Sequence, residues 1–463
     1  MHLSWYTLEQ NATIEKWKNL QFGMFIHFGL YSLAGGCWNG EPVKKGYCEQ
    51  IFAHGEIPPA DYEALMQRFT IPHFDAAAIT QLAKKAGMRY IVLTAKHHDG
   101  FCLFNTATTG YNSVQAACGR DIVAEMATAC KEAGLAFGLY FSLIDWHCPS
   151  AAPMSAHNSD PIPPLHHRYN LTQLTELLTN YGKICELWLD MGYPTEVQSR
   201  QMYETIHSLQ KDIMINGRIW NDKGDFVTMP DNELPGLPYP AYTLNIPWQT
   251  PASIYRETWG YKSWQERGSV KEKTAELTKS LRTVTTRGGN YLLNIGPDGT
   301  GAVIPFEAEV LQGIGEQLKQ QPLAGTAVTH SDTRLPPACT IGSVPAFCTN
   351  LFRYTGEDYY SLRPIVTGKR WLIETAKKEP ELEKNFLLRW ETPLPLKEAV
   401  KLCFEDDRQR ICFSLKKGTS SGIIGSSYRI PRSKEYAVLE LSTVGSPLER
   451  PELPVTDITL VLE

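Results

Sequence analysis

The chain is patterned as short apolar runs that end on polar residues, each followed by a longer stretch with helical spacing. Phe22-Gly23-Met24-Phe25-Ile26-His27-Phe28-Gly29 is apolar as far as His27 and then breaks at glycine. Arg89 to Ala95 reads as a buried strand running straight into Lys96-His97-His98-Asp99. The same design returns at Ala136 to Leu143, which delivers Tyr140, Asp145 and Trp146, and in the run led by Ile184, which ends on Asp190. It returns again at Ile213 to Arg218 and at Asn290 to Ile295. Helical patterns with Asp or Pro starts and Gly stops are predicted from Pro58 to Phe69, Asp75 to Ala86, Asp121 to Ala133 and Asn170 to Tyr181. Three more are predicted from Glu196 to Gln210, Lys271 to Thr286 and Pro305 to Gln320. The Pro- and Gly-rich stretch from Gly224 to Pro251 reads as one long loop of the kind that carries function.

Strands alternating with helices over roughly 320 residues predict an α/β fold, a (β/α)8-like TIM barrel spanning 1–325. Beyond that point the texture changes. Arg370 to Thr375, Phe386 to Trp390, Ile411 to Leu415 and Ala437 to Leu441 are short strand candidates between charged and Gly- or Pro-containing turns. They predict a C-terminal antiparallel β-sandwich domain over 326–463.

In such a barrel a polar residue just past the end of a strand lies at the face where active sites are built. That makes Asp190 a candidate nucleophile. It also reads as a cap for the helix beginning near Pro194 and Thr195, and local sequence leaves both readings open.

Composition narrows the ligand. The 463 residues carry a formal net charge of −5, which provides no basic footprint for nucleic acid or an anionic membrane. Eleven tryptophans and 21 tyrosines supply flat apolar rings suited to sugar faces as well as to a core. The 11 cysteines have no CxxC pair or ligand spacing, so reduced thiols are expected and neither a zinc site nor a disulfide scaffold. Met1 to Tyr6 lacks a basic segment followed by an apolar core, and no apolar run spans a bilayer, so a cytoplasmic location is expected.

The His97-His98-Asp99 cluster invites a metal reading, but neighbouring histidines on a strand point apart and no second ligand cluster follows, so no metal and no cofactor are expected. Hydrogen bonding is the better use of these groups. His27, Glu49, His97, His98, Tyr140 and Arg218 would suit a polyhydroxylated ligand if they converge at the barrel mouth. With no Gly-x-Ser-x-Gly elbow and no phosphate loop, carboxylates remain as the chemistry, and two of them suffice for retaining glycoside hydrolysis.

Several segments together carry a family resemblance. They are Phe22 to Gly29, Ala86 to Phe101, Asp145-Trp146, Trp188-Leu189-Asp190, Trp259-Gly260-Tyr261 and Asn290 to Gly299. In these the chain resembles the α-L-fucosidases of glycoside hydrolase family 29. The resemblance implies a retaining exo-α-L-fucosidase acting on fucosylated oligosaccharides or glycoconjugates through a covalent glycosyl-Asp190 intermediate. It also implies that His27, Glu49, His97, His98, Tyr140 and Arg218 grip hydroxyls while Trp188 and Trp259 face the ring and the C6 methyl.

The acid/base is a departure. Where some relatives carry Trp-Glu-Thr, this chain has Trp248-Gln249-Thr250, and an amide supplies no proton. Other relatives place the acid earlier, where Asp231-Asn232-Glu233 stands, and Glu233 is expected first with Asp231 second. Glu49-Gln50 in place of Glu-Trp, and Met191 in place of a glycine, are further departures near the pocket. Two alternatives follow from these departures: an α-L-galactosidase-like relative, and a carbohydrate-binding pseudoenzyme motivated by Gln249. Self-association into a homo-oligomer stays open.

Overall fold

The computed structural model describes residues 8–154, 160–221, 223–229, 231–232, 247–286 and 288–323, the turn residue 418, and the backbone of strands between 359 and 462. Eight strands form one sheet in the first region: β1 (Phe22–Ile26), β2 (Tyr90–Lys96), β3 (Ala136–Ser142), β4 (Glu186–Asp190), β5 (Met214–Ile215), β6 (Val227–Thr228), β7 (Trp248–Ser253) and β8 (Asn290–Ile295). All neighbouring pairs are parallel, in the order β5-β4-β3-β2-β1-β8-β7-β6. A parallel bridge between Asn216 and Phe226 joins the two outer strands, with Asp225 N donating to Ile215 O at 2.6 Å. The sheet thus curls into a TIM-like barrel.

Alternation along each strand sorts the side chains into two cores. Ile26, Ile91, Leu139, Leu187 and Leu293 point outward and pack with helix residues such as Ile79, Met126, Leu174, Leu277 and Ile314. Phe25, Tyr90, Val92, Tyr140, Trp188 and Leu292 point inward and form a separate, mainly aromatic cluster. That inner cluster includes Trp17 of helix α1 (Leu8–Lys18), whose indole lies 4.5 Å from the Phe226 ring. Asn290, at the start of β8, donates to the Trp17 carbonyl at 2.8 Å, so α1 closes the N-terminal end of the barrel.

The outer helices are α2 (Ala76–Lys85), α3 (Ile122–Ala133), α4 (Pro164–Asn180), α5 (Glu196–Leu209), α6 (Val270–Thr285) and α7 (Pro305–Gln320). Local chemistry sets several of their ends: Asp75, Asp121 and Ser269 accept from backbone N–H groups at the first turns, and Gly134 ends α3 in the left-handed region at φ 71°. At α5 the cap is Thr195, in a reciprocal capping box with Gln198. Asp190 is therefore not the cap.

Three sequence expectations need correction. Helix α4 starts at Pro164 rather than near Asn170, because Pro164 supplies a preset first turn. The strand expected over Ile213 to Arg218 is only Met214–Ile215, and Arg218 sits in a 3-10 turn, Gly217–Ile219. The long loop expected from Gly224 to Pro251 contains the barrel strand β6 and most of β7, hidden by the shortness of the first and by Gln249, Thr250 and Pro251 in the second. Among the described residues no α-helix separates β5 from β6. The chain instead passes itself closely, since a Cβ on Gly224 would lie 2.5 Å from the Gly217 Cα.

In the C-terminal region the backbone forms antiparallel sheets of five and three strands, including Arg370–Ala376, Phe386–Glu391, Arg410–Leu415 and Tyr436–Thr443. Each expected strand there lies within one of these.

Candidate active site

Asp190 is the last residue of β4, inward-pointing like Glu186 and Trp188 before it. Arg218 Nη1 donates to its Oδ1 at 2.5 Å and the Tyr140 hydroxyl to its Oδ2 at 2.8 Å. Burial alone would push this carboxyl up. The Arg218 charge and the hydrogen bonds from Arg218 and Tyr140 outweigh burial and hold it below the usual aspartate range. A partly buried carboxylate that stays ionised can serve as a nucleophile. Met191, directly after it, is a non-glycine residue in left-handed backbone at φ 57°, the kind of local strain that collects at functional sites.

Three imidazoles surround this acid, and burial pushes all of them down: His27 to about 3, His98 to about 4, and His97 well below its ordinary value. They are neutral at working pH, so His98, 3.9 Å from Asp190, is not its ion-pair partner. Their tautomers follow from their neighbours. Asn294 donates its amide N–H to Trp259 O at 2.7 Å, so its oxygen faces His27 Nδ1 at 2.6 Å and accepts a hydrogen bond from that N–H. Ser142 donates to Ile144 O at 2.8 Å, so its oxygen accepts from His98 Nδ1, also at 2.8 Å. Both rings are left with Nε2 as an acceptor. That suits the hydroxyl protons of a sugar.

Glu49 arrives from a 3-10 turn, Cys48–Gln50, and accepts from the backbone N–H groups of Trp259 and Gly260 at 3.1 and 2.9 Å. Burial pushes its carboxyl up to about 7 despite those bonds. Trp259 lies 5.3 Å from His27 and 6.0 Å from Phe25. Trp188 lies lower, with Arg218 4.5 Å above its ring and Tyr140 stacked at 5.9 Å. The structure thus brings together Asp190, His27, His97, His98, Tyr140, Trp188 and Arg218, with Glu49 and Trp259 alongside.

Of the two acid/base candidates, Glu233 lies outside the described residues. Asp231 accepts from Arg218 Nη2 at 2.7 Å, so one guanidinium spans Asp190 and Asp231. Gln249 is elsewhere: fully buried in the barrel interior, it accepts from Trp188 Nε1 at 2.8 Å and donates to Glu186. It does not stand where an acid would meet a leaving group, so an amide at this position is no sign of a lost catalytic acid.

Sequence reasoning missed Asn294 and Ser142, which set the histidine tautomers, and Glu186. Asn294 falls within the Asn290 to Ile295 run, where an asparagine in an otherwise buried strand was the available signal. Asp99 accepts from the Tyr62 hydroxyl at 2.9 Å, and Lys96 pairs with Asp145 at 3.6 Å with both side chains buried. These groups brace the loops behind the histidines.

Among the described residues no helix is long and apolar enough to cross a membrane.

Comparison with known proteins gives the family. The α-L-fucosidase family model matches residues 1–322. Human plasma α-L-fucosidase is 31% identical over 358 residues, covering 71% of this chain and 72% of its own. The α-L-fucosidase of Dictyostelium discoideum is 29% identical over 325 residues, covering 65% and 68%. The unliganded α-L-fucosidase AlfC from Lactobacillus casei superposes with a TM-score of 0.59 at 33% identity, covering 67% of this chain and 99% of that one. A bacterial fucosidase bound to an iminocyclitol inhibitor shares the fold over 93% of this chain and 96% of its own, at 20% identity and a TM-score of 0.59. With this match across the whole barrel, the chain belongs to the α-L-fucosidase family of glycoside hydrolases.

Proposed function

We propose that the protein is a retaining, exo-acting α-L-fucosidase that releases terminal α-L-fucose by double displacement. The carrying observation is Asp190, ionised at the end of β4 and held by Arg218 and Tyr140. In the first step an Asp190 oxygen bonds to the anomeric carbon while the glycosidic oxygen leaves with a proton from the acid/base. In the second, water loses a proton to that same residue and attacks the anomeric carbon, freeing Asp190 with configuration retained. Asp231 is the acid/base we favour, ahead of Glu233. Sharing one guanidinium keeps it on the scale of the about 5–5.5 Å carboxylate separation that retention needs. His27, His97, His98 and Glu49 accept the sugar hydroxyls, Tyr140 and Arg218 line the same pocket, and Trp259 supplies the apolar contact for the C6 methyl, while Trp188 lies beneath Arg218 as its support.

An AlfC variant has been solved with Fucα(1,6)GlcNAc, which supports a fucosylated glycan as the ligand here. We place the catalytic domain at 1–325 and a β-sandwich domain at 326–463, a reading supported by the two antiparallel sheets.

Asp190→Ala is expected to lower turnover of 4-nitrophenyl α-L-fucoside by on the order of 10⁴-fold or more. Added azide should restore product with inverted configuration. Near-normal turnover in the variant rejects the assignment. Asp231→Ala should slow natural disaccharides far more than the aryl fucoside, whose leaving group needs little acid help. If Glu233→Ala shows that pattern and Asp231→Ala does not, the acid is Glu233.

A further inference from the structure

Below the catalytic layer runs a line of polar groups that the two displacement steps do not use. Glu186 is four residues before Asp190 on β4, so both point into the barrel, yet Glu186 lies on the floor side and has no exposure. Its Oε2 accepts from Trp17 Nε1 at 2.6 Å. The Gln249 amide nitrogen donates to its two oxygens at 3.0 and 3.2 Å and to the Tyr90 hydroxyl at 3.0 Å. The Gln249 oxygen accepts from Trp188 Nε1 at 2.8 Å. This amide has one permitted orientation. An indole N–H only donates, so the atom facing Trp188 is the oxygen and the NH₂ group faces Glu186.

The barrel makes room for these groups. A Cβ on Gly138 would lie 2.9 Å from the Glu186 Cγ, and one on Gly23 would lie 2.3 Å from the Tyr90 ring. Glycine inside a strand weakens it, and a buried carboxylate is costly where an apolar side chain would pack well. Stability alone therefore does not account for the arrangement. What the line touches at its upper end is the catalytic apparatus: Trp188 carries the Arg218 guanidinium on its face, and Arg218 spans Asp190 and Asp231.

We propose that Glu186 and Gln249 are positioning residues: the pair fixes the tilt of the Trp188 indole and thereby the seat of Arg218 between Asp190 and Asp231. This rests on the reading of Asp190 as the nucleophile. Glu186 orders the amide, the amide holds the indole, and the indole supports the cation. Gln249 thus serves the reaction without touching substrate.

The test is an exchange of the two side chains. Glu186→Gln alone leaves an amide facing an amide, and Gln249→Glu alone sets a carboxylate against a carboxylate. The double variant Glu186→Gln/Gln249→Glu restores one of each: Trp188 then donates to a carboxylate, Trp17 to an amide oxygen, and the amide N–H groups again bridge the pair. Each single variant is expected to lose roughly 10- to 100-fold in kcat on the aryl fucoside with KM little changed, the size of effect that slight misplacement of catalytic groups produces. The double variant should recover most of that loss. Thermal unfolding and L-fucose binding measured on all three separate misplacement from misfolding. Single variants with normal kcat overturn the proposal. So does a double variant no better than the product of the singles, or a loss of kcat that merely follows a loss of Tm. If Gln249→Glu does not fold, Glu186→Gln and the double variant decide by the same criteria. Asp190→Ala run in parallel keeps the two readings apart: an active Asp190→Ala rejects the catalytic assignment, whereas an inactive one beside normal exchange variants rejects only the positioning role.

Discussion

The mouth and the floor of the barrel interior each hold a carboxyl on β4, four residues apart and facing the same way, and they treat it in opposite senses. Asp190 at the mouth is held below the ordinary aspartate range, because a full cation, Arg218, overcomes burial. Glu186 at the floor is pushed up to about 7, because burial there is opposed only by neutral donors, the Gln249 amide and the Trp17 indole. Loss of water acts on both, fully at Glu186 and in part at Asp190, and only Asp190 has a charged partner to outweigh it. One site keeps its carboxylate ionised, as the proposed nucleophile must be. The other holds a carboxyl that titrates near neutrality inside a network of fixed dipoles.

Removing the cation breaks the comparison most directly. In Arg218→Gln, burial at Asp190 is no longer outweighed, so its carboxyl should rise toward the behaviour of Glu186. The reaction needs the ionised form, so the acid limb of the pH–rate profile should move to higher pH. The kcat should also fall by about 10²- to 10³-fold, as when one preorganised charge-stabilising donor is lost. An unchanged acid limb in an active variant would show that Arg218 is not what keeps Asp190 ionised. Tyr140→Phe sharpens the same point with a smaller change, deleting one neutral donor and leaving the cation. A loss of about 10-fold, the scale of one hydrogen bond to a charged group, is expected with a smaller shift of the acid limb. A shift as large as that of Arg218→Gln would reverse the ranking of charge over dipole.

The two regions also differ in how far sequence revealed them. β8 and α7 were legible to the residue at Asn290–Ile295 and Pro305–Gln320, because apolar runs and a proline start are local signals. Asp190 was legible because an acid ends an apolar strand just before Gly192, and the ring of His27, His97, His98, Tyr140 and Arg218 followed from polar residues at other strand ends. β7 was not legible. Trp248-Gln249-Thr250-Pro251-Ala252-Ser253 is buried throughout, but its barrel face carries Gln249, Pro251 and Ser253, two polar residues and a proline, which is the pattern of a loop. Gln249 accordingly looked like a failed acid when it is a buried partner of a glutamate 63 residues away. The hydrogen bond of His27 to Asn294 spans 267 residues and depends on β1 pairing with β8. Local pattern gave no access to such partners.

The smallest expected effect concerns stability against pH, and it sets buried carboxyls against buried histidines. Burial pushes Glu49, Asp99 and Glu186 up to about 7 and Glu307 to about 8. A raised carboxyl contributes stability fully present below its unfolded value, about 4 to 4.5, and lost as pH climbs through 7 to 8. Burial pushes His27 down to about 3 and His98 and His166 to about 4. A lowered histidine contributes stability present above its unfolded value, about 6.5, and lost as pH falls toward 4. Between about pH 4.5 and 6.5 the two sets oppose each other, and above about 6.5 only the carboxyls still titrate. Tm should therefore pass over a broad mildly acidic maximum and decline from pH 6.5 to 8. Glu186→Gln removes one of the titrating groups, so its decline over that interval should be shallower than in the parent protein, whatever its absolute Tm. A decline as steep in Glu186→Gln as in the parent would mean that the floor carboxyl does not titrate over that interval and is held ionised like the one at the mouth.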